Sequence, residues 1–266
     1  MSATHPPDRP GYQLEFNEMF DTSTLDPSRW LPYYLPHWSG RARSAARYTL
    51  PGNGLALHIT SDQQPWLPEI DGALRVSCLQ TGARSGALGS RDGQHRFHPD
   101  LRVREPVETT RLYTPQFGYF ETRVRAVPIP GYMLALWMIG FEERPHESGE
   151  ICIFELFGQD LTSGAATVRY GVHPFGDPTL REEFYADTLT MDASAFHTYA
   201  LDWQPDRLHF YVDGALLRTV WQSPQYPMQF MLTLYELPAQ LQECGAPWPR
   251  TAHVAYLRGY GRTQAR

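Results

Sequence analysis

Two alternating apolar runs, RLHFYV (207–212) and ALLRTV (215–220), are separated only by Asp213-Gly214, and that spacing leaves the segment little conformational choice. Asp-Gly favours the tight two-residue turn whose twist matches paired strands, so an antiparallel hairpin is predicted here. The pattern recurs along the chain. GLALHIT (54–60) follows the turn residues PGN, ALRVSCLQT (73–81) follows Asp71-Gly72, and YFETRVRAV (119–127) follows Gly118. TYALDW (198–203) is parted from RLHFYV by Gln204, Pro205 and Asp206. PQYPMQFMLTLYEL (224–237) is apolar enough for a buried helix, but its two prolines and its aromatic and β-branched content favour a core strand. Helical periodicity is sparse, and 23 Pro and 21 Gly recur along the 266 residues. The expected fold is therefore all-β, two antiparallel sheets packed as a sandwich. If those sheets curve, one outer face becomes a concave cleft suited to an extended ligand.

No repeat, low-complexity tract or composition break divides the chain. Residues 11–262 read as one domain, with 1–10 and 263–266 as flexible tails. A formal charge of -6 supplies no general attraction for nucleic acid or anionic lipid, and the basic run Arg41, Arg43, Arg47 reads as a solvated edge. Cys78, Cys152 and Cys244 are odd in number and widely spaced, with neither a disulfide framework nor zinc-ligand spacing. The N-terminus lacks an apolar signal core and no run is long enough to span a membrane, so a cytoplasmic monomer is expected, with room left for a trimmed or non-standard export signal.

The chemistry concentrates in GEICIFELFG (149–158). On a regular strand Glu150, Cys152 and Phe154 share one face while Ile151, Ile153 and Glu155 share the other, which separates the glutamates. One extra residue in a bulge between Cys152 and Glu155 would bring both carboxyls to one face. The competing reading is a strand end with two solvated glutamates.

GEICIFELFG resembles the active-site strand of glycoside hydrolase family 16, the laminarinase, lichenase, agarase and carrageenase group, whose motif runs Glu-x-Asp-x-(x)-Glu. FNEMFDTSTLDPSRW (16–30), TPQFGYFETRVRA (114–126), MLALWMIG (133–140) and FHTYALDWQPDRLHFYVDG (196–214) are similar to further segments of that family. The resemblance implies a β-jelly-roll with the site in its concave cleft. It also implies a retaining hydrolysis of β-linked glucan or galactan, with 1,3 linkages expected, in which Glu150 is the nucleophile and Glu155 the general acid/base. Such double displacement needs two carboxyls about 5–5.5 Å apart. Cys152 stands where the family has an Asp that hydrogen-bonds the nucleophile, and a thiol offers no comparable bond. As a nucleophile in its own right, Cys152 would need His146 or His173 as its base.

The resemblance further places Trp137, His173, Tyr235 and Glu236 at the cleft as substrate-binding residues, with Trp38 reaching it from a loop. Met133-Leu134 replaces the family's frequent Trp-Pro, removing one sugar platform. No redox or organic cofactor is implied. A structural calcium occurs in some members, but Glu18, Asp21 and Asp213 show no spacing that establishes one. Two further classes stay open: a non-catalytic glycan-binding pseudoenzyme using the same cleft, and a structural or interaction protein, which would have its cleft blocked by its own loops.

Overall fold

The computed structural model describes residues 10–241 and 247–263; Cys244 and the expected tails, apart from Pro10 and Thr263, lie outside them. In chain order the strands of the first half are β1 (Tyr12–Glu18), β2 (Arg47–Thr49), β3 (Leu55–Ile59), β4 (Arg75–Gln80), β5 (Gly82–Ala83), β6 (Thr110–Arg111), β7 (Gly118–Arg125) and β8 (Tyr132–Gly140). There follow β9 (Glu150–Phe157), β10 (Ala166–His173), β11 (Glu183–Leu189), β12 (His197–Trp203), β13 (Leu208–Val212), β14 (Ala215–Val220), β15 (Met228–Glu236) and β16 (Arg250–Arg262). Every predicted strand segment is present, and 224–237 is a strand in its buried part.

One sheet has eight strands, in the order β14-β13-β12-β7-β16-β3-β2, with β1 pairing to the far end of β16. The other has six, in the order β11-β10-β9-β8-β15-β4. Pairing is antiparallel throughout both, the arrangement that lets one face of a sheet pack on a core and the other serve a surface. Asp213 and Gly214 take φ of +48° and +80°, the left-handed pair the hairpin turn demands. Among the described residues no helix is long and apolar enough to cross a membrane.

Alternation sorts the side chains into two apolar clusters. Between the sheets, Leu57, Phe120, Leu201, Trp203 and Phe210 of the larger sheet pack with Leu134, Leu136, Ile151, Phe154, Phe230 and Leu232 of the smaller. On the outer face of the smaller sheet a second cluster gathers Cys78, Met133, Ala135, Trp137, Cys152, Met231 and Tyr235. Loop residues Tyr34, Trp38, Trp66, Leu101 and Val103 complete it from above. The outer face is thus partly roofed, and what remains open is a groove. The segment 84–109 forms one wall and is closed at its base by the β5–β6 pair, Gly82 opposite Arg111 and Ala83 opposite Thr110.

Candidate active site

The floor of the groove is β9 with its neighbours. Leu136 of β8 faces Phe154, but the next residue, Trp137, faces Cys152, so Ile153 is the extra residue of a bulge. The register with β10 slips at the same place, Arg169 facing Glu155 while Gly171 faces Cys152. Ile153 and Phe154 both turn into the intersheet core, consecutive residues on one side of a strand. That double step returns Glu155 to the face of Glu150, as the parity of the sequence demanded.

Glu150, Glu155, Trp137, His173 and Tyr235 line one cavity of about 220 Å³, together with Tyr34, His95, Met133, Ala135 and Phe175. Glu150 is 7% exposed, and its carboxyl is pushed well above the usual range by burial, then by the charges of Glu155 and Glu182. Burial also raises Glu155, and His173 and Arg169 oppose that rise. The Cys152 thiol between them is fully buried and driven up by burial, then by Glu155 and Glu150, so it stays protonated. No hydrogen bond joins it to a histidine among the described residues. His146 is exposed, and His173 pairs through Nδ1 with Glu182 at 2.7 Å and stacks on Phe184.

The start of β9 is fixed from behind. The Gly149 N–H donates to Tyr226 Oη at 2.8 Å, and that hydroxyl donates to Asp177 at 2.7 Å. A Cβ on Gly149 would lie 2.5 Å from both Tyr226 Oη and Leu180 Cδ1, so a larger residue beside Glu150 would displace the side chains that fix this strand end. Trp137 donates its indole N–H to Thr233 Oγ1 at 3.1 Å, which fixes the ring in the floor.

Two sequence expectations are corrected. Glu236 follows Tyr235 on β15 and therefore points to the opposite side, where it pairs with Arg75 at 3.0 Å and accepts from the Tyr132 hydroxyl at 2.5 Å. Trp38 is fully buried and donates its indole N–H to the Gln94 carbonyl at 2.9 Å, which makes it an anchor of the wall rather than a groove residue. Of the carboxylates weighed for calcium, Glu18 accepts from the Phe20 N–H and the Trp30 indole, and Asp213 pairs with His197.

Sequence reasoning missed His95, Tyr34 and Phe175, which enter from loops. His95 and Phe175 sit at φ of +53° and +45°, and Phe175 is 46% exposed at the rim. A bulky side chain in that backbone region is strained and worth noticing, though the only signal for Phe175 in sequence is an aromatic beside Pro174 and Gly176. His95 and Phe175 also border a second cavity of about 650 Å³, lined by Arg84, Arg91, Arg96, Asp92 and Glu142 among others. Burial pushes Glu142 up to about 8, opposed by the His95 N–H, Arg84 and Arg96. The groove therefore continues from the carboxyl pair into a larger, arginine-rich space.

A profile for Glycosyl hydrolases family 16 matches residues 105–246. A beta-glucanase of Bacillus amyloliquefaciens is 30% identical over 129 residues, covering 48% of this chain and 51% of that protein. The chain spans about half the length of the curated relatives it matches first. Among solved structures, a GlcNAcα1-4Gal releasing endo-β-galactosidase from Clostridium perfringens superposes with a TM-score of 0.87 at 28% identity, over 98% of this chain and 65% of that one. The catalytic domain of an endo-1,3-beta-glucanase from Thermotoga petrophila gives 0.64 at 16% identity over 95% and 99%, a likeness of fold alone.

Proposed function

Because the chain belongs to glycosyl hydrolases family 16, we propose that it is a retaining glycosidase that cuts within β-linked glycans, with β-galactosides favoured over β-glucans. The observation that carries the reading is the Ile153 bulge, which has little reason to exist unless Glu150 and Glu155 must face the same sugar. The preference for galactosides rests on the closer likeness, over nearly the whole chain, to an endo-β-galactosidase than to the glucanase folds.

In the first step the Glu150 carboxylate attacks the anomeric carbon while the Glu155 carboxyl gives its proton to the departing glycosidic oxygen. A glycosyl ester on Glu150 and a free glycan end result. Glu155, now ionised, takes a proton from water as that water attacks the same carbon, and Glu150 leaves as carboxylate. Burial opposes the charge on Glu150 in the resting groove, but the positive charge developing on the sugar in the transition state favours it. Trp137, Tyr34 and the exposed Phe175 supply flat apolar surfaces for sugar rings, and Tyr235 and His173 supply polar ones.

The test is a panel of β-galactans, β-glucans, mucin-type glycans and their oligosaccharides, read by binding and by product analysis. Glu150→Gln is expected to abolish turnover while retaining glycan binding, because the amide keeps the shape but forms no glycosyl ester. Undiminished turnover in that variant would remove Glu150 from the mechanism. Binding by the unaltered protein with no product from any glycan would favour the pseudoenzyme reading, for which the thiol in place of a motif carboxyl is the specific observation.

A further inference from the structure

We propose that His95 is the positioning residue for Glu150, its neutral imidazole donating from Nδ1 to the nucleophilic carboxylate and taking the part that the family motif gives to an aspartate at position 152. This inference rests on the hydrolytic reading above and adds the residue that makes the altered motif workable.

Glu150 has a need and His95 an unused donor. Among the described residues no group donates a hydrogen bond to the Glu150 carboxyl, and what surrounds it is unfavourable to its charge: Glu155 and Glu182 repel it and burial desolvates it. Cys152 beside it is a neutral thiol, and Tyr34 and Tyr235 bond to each other through their hydroxyls at 3.3 Å. His173 is committed to Glu182. The remaining nitrogen is His95 Nδ1, 3.9 Å from Glu150 Oε2, in a side chain about nine-tenths buried. That nitrogen has no hydrogen-bond partner of its own, and a buried ring nitrogen left without one is uncommon enough to ask for a reason.

The ring is held for this task. Its backbone is left-handed, with φ of +53°, and its N–H donates to Glu142 Oε1 at 2.5 Å from a residue that is itself left-handed at φ of +58°. Trp137 meets the imidazole edge-on at 5.1 Å, Phe175 at 4.8 Å, and Phe97 tilts against it at 5.7 Å. Burial, then His37 and His173, pushes His95 down to about 3, so the ring is neutral at working pH and offers a proton without adding charge. A gap of 3.9 Å is longer than a hydrogen bond, and contacts of this kind tighten when substrate fills the site. In the Nδ1–H tautomer the proton sits on the nitrogen nearest Glu150.

The test reads the Glu150 carboxyl directly, by NMR titration of selectively labelled protein with Glu150→Gln assigning the signal. His95→Leu keeps the apolar bulk and removes the donor, and is expected to raise the Glu150 pKa by about one unit or more. His95→Asn places an amide N–H near Nδ1 and is expected to reverse most of that rise. In turnover, His95→Leu is expected to lower kcat roughly 10- to 100-fold with little change in KM, as loss of a hydrogen bond to a charged group does. His95→Asn should recover most of it. A residue that only buried Glu150 would leave its pKa unchanged in His95→Leu, and an unchanged or lower pKa overturns the proposal. A protein that cleaves no glycan would defeat the hydrolytic reading alone, since the titration still decides whether His95 bonds Glu150.

Discussion

The site turns on one substitution, a thiol where a carboxyl is expected. Cys152 faces Trp137 and Gly171 across the floor, completely buried between two glutamates already lifted above their ordinary range. A third carboxyl there would hydrogen-bond Glu150 and would itself resist ionising. Cys152→Asp is accordingly expected to raise turnover by roughly one to two orders of magnitude, the scale of a well-placed catalytic group. Where the added acid does ionise, its charge disfavours ionisation of Glu155, so the upper limb of the pH–rate profile moves to higher pH. Even without it, both glutamates lose their protons above the ordinary 4.5, which shifts the whole bell upward. Cys152→Ser should be tolerated, since a passive thiol and a hydroxyl both stay neutral. If Cys152→Asp slows the reaction while fold and glycan affinity hold, the site has been rebuilt around sulfur and Cys152 is not a weakened aspartate.

At the scale of the strand, the arrangement depends on a single inserted residue. Deleting Ile153 makes β9 regular against β8, and because Glu150 and Glu155 are then four residues apart both stay on the groove face, closer together along the strand. The loss of a packed isoleucine predicts destabilisation of about 2–4 kcal/mol, and the altered carboxyl separation predicts lower turnover. Thermal unfolding and the glycan assay check both, and a deletion variant whose two glutamates no longer line one groove would contradict the parity account of the bulge. This was the legible part of the molecule: apolar alternation gave the strands, Asp213-Gly214 gave the hairpin, and the parity of GEICIFELFG called for the bulge. Glu236 was misread against the same rule, because neighbours on a regular strand cannot both face a groove with Tyr235. His95, Tyr34 and Phe175 were not legible. They arrive on loops distant in sequence from β9, two of them through left-handed turns that no periodicity announces.

For the molecule as a whole, buried titratable groups tie stability to pH in opposing directions. Glu142 carries a folded pKa of about 8 against an ordinary 4.5, so between those values the folded state binds more protons and stability falls as pH rises. Each pKa unit corresponds to about 1.4 kcal/mol. His37 and His95, lowered to about 4 and about 3 by burial, contribute stability present above pH 6.5 and lost as the pH falls below it. Glu142→Gln is therefore expected to flatten the decline in unfolding temperature from about pH 6.5 to 8, where the histidine contributions are constant. Identical slopes for variant and wild type would mean that Glu142 is already ionised in the fold.

The groove wall, segment 84–109, leaves and rejoins the sheet through the β5–β6 pair and hangs on one buried side chain. The Gln94 amide donates to the Phe141 carbonyl and to Gln229 Oε1 and accepts from the Arg84 N–H, while its carbonyl accepts from the His37 ring and the Trp38 indole. Such a wall is anchored separately from β9. Substitutions in this segment that spare Gln94 and the two short rungs are therefore expected to change which glycan is bound and to leave β9 in place.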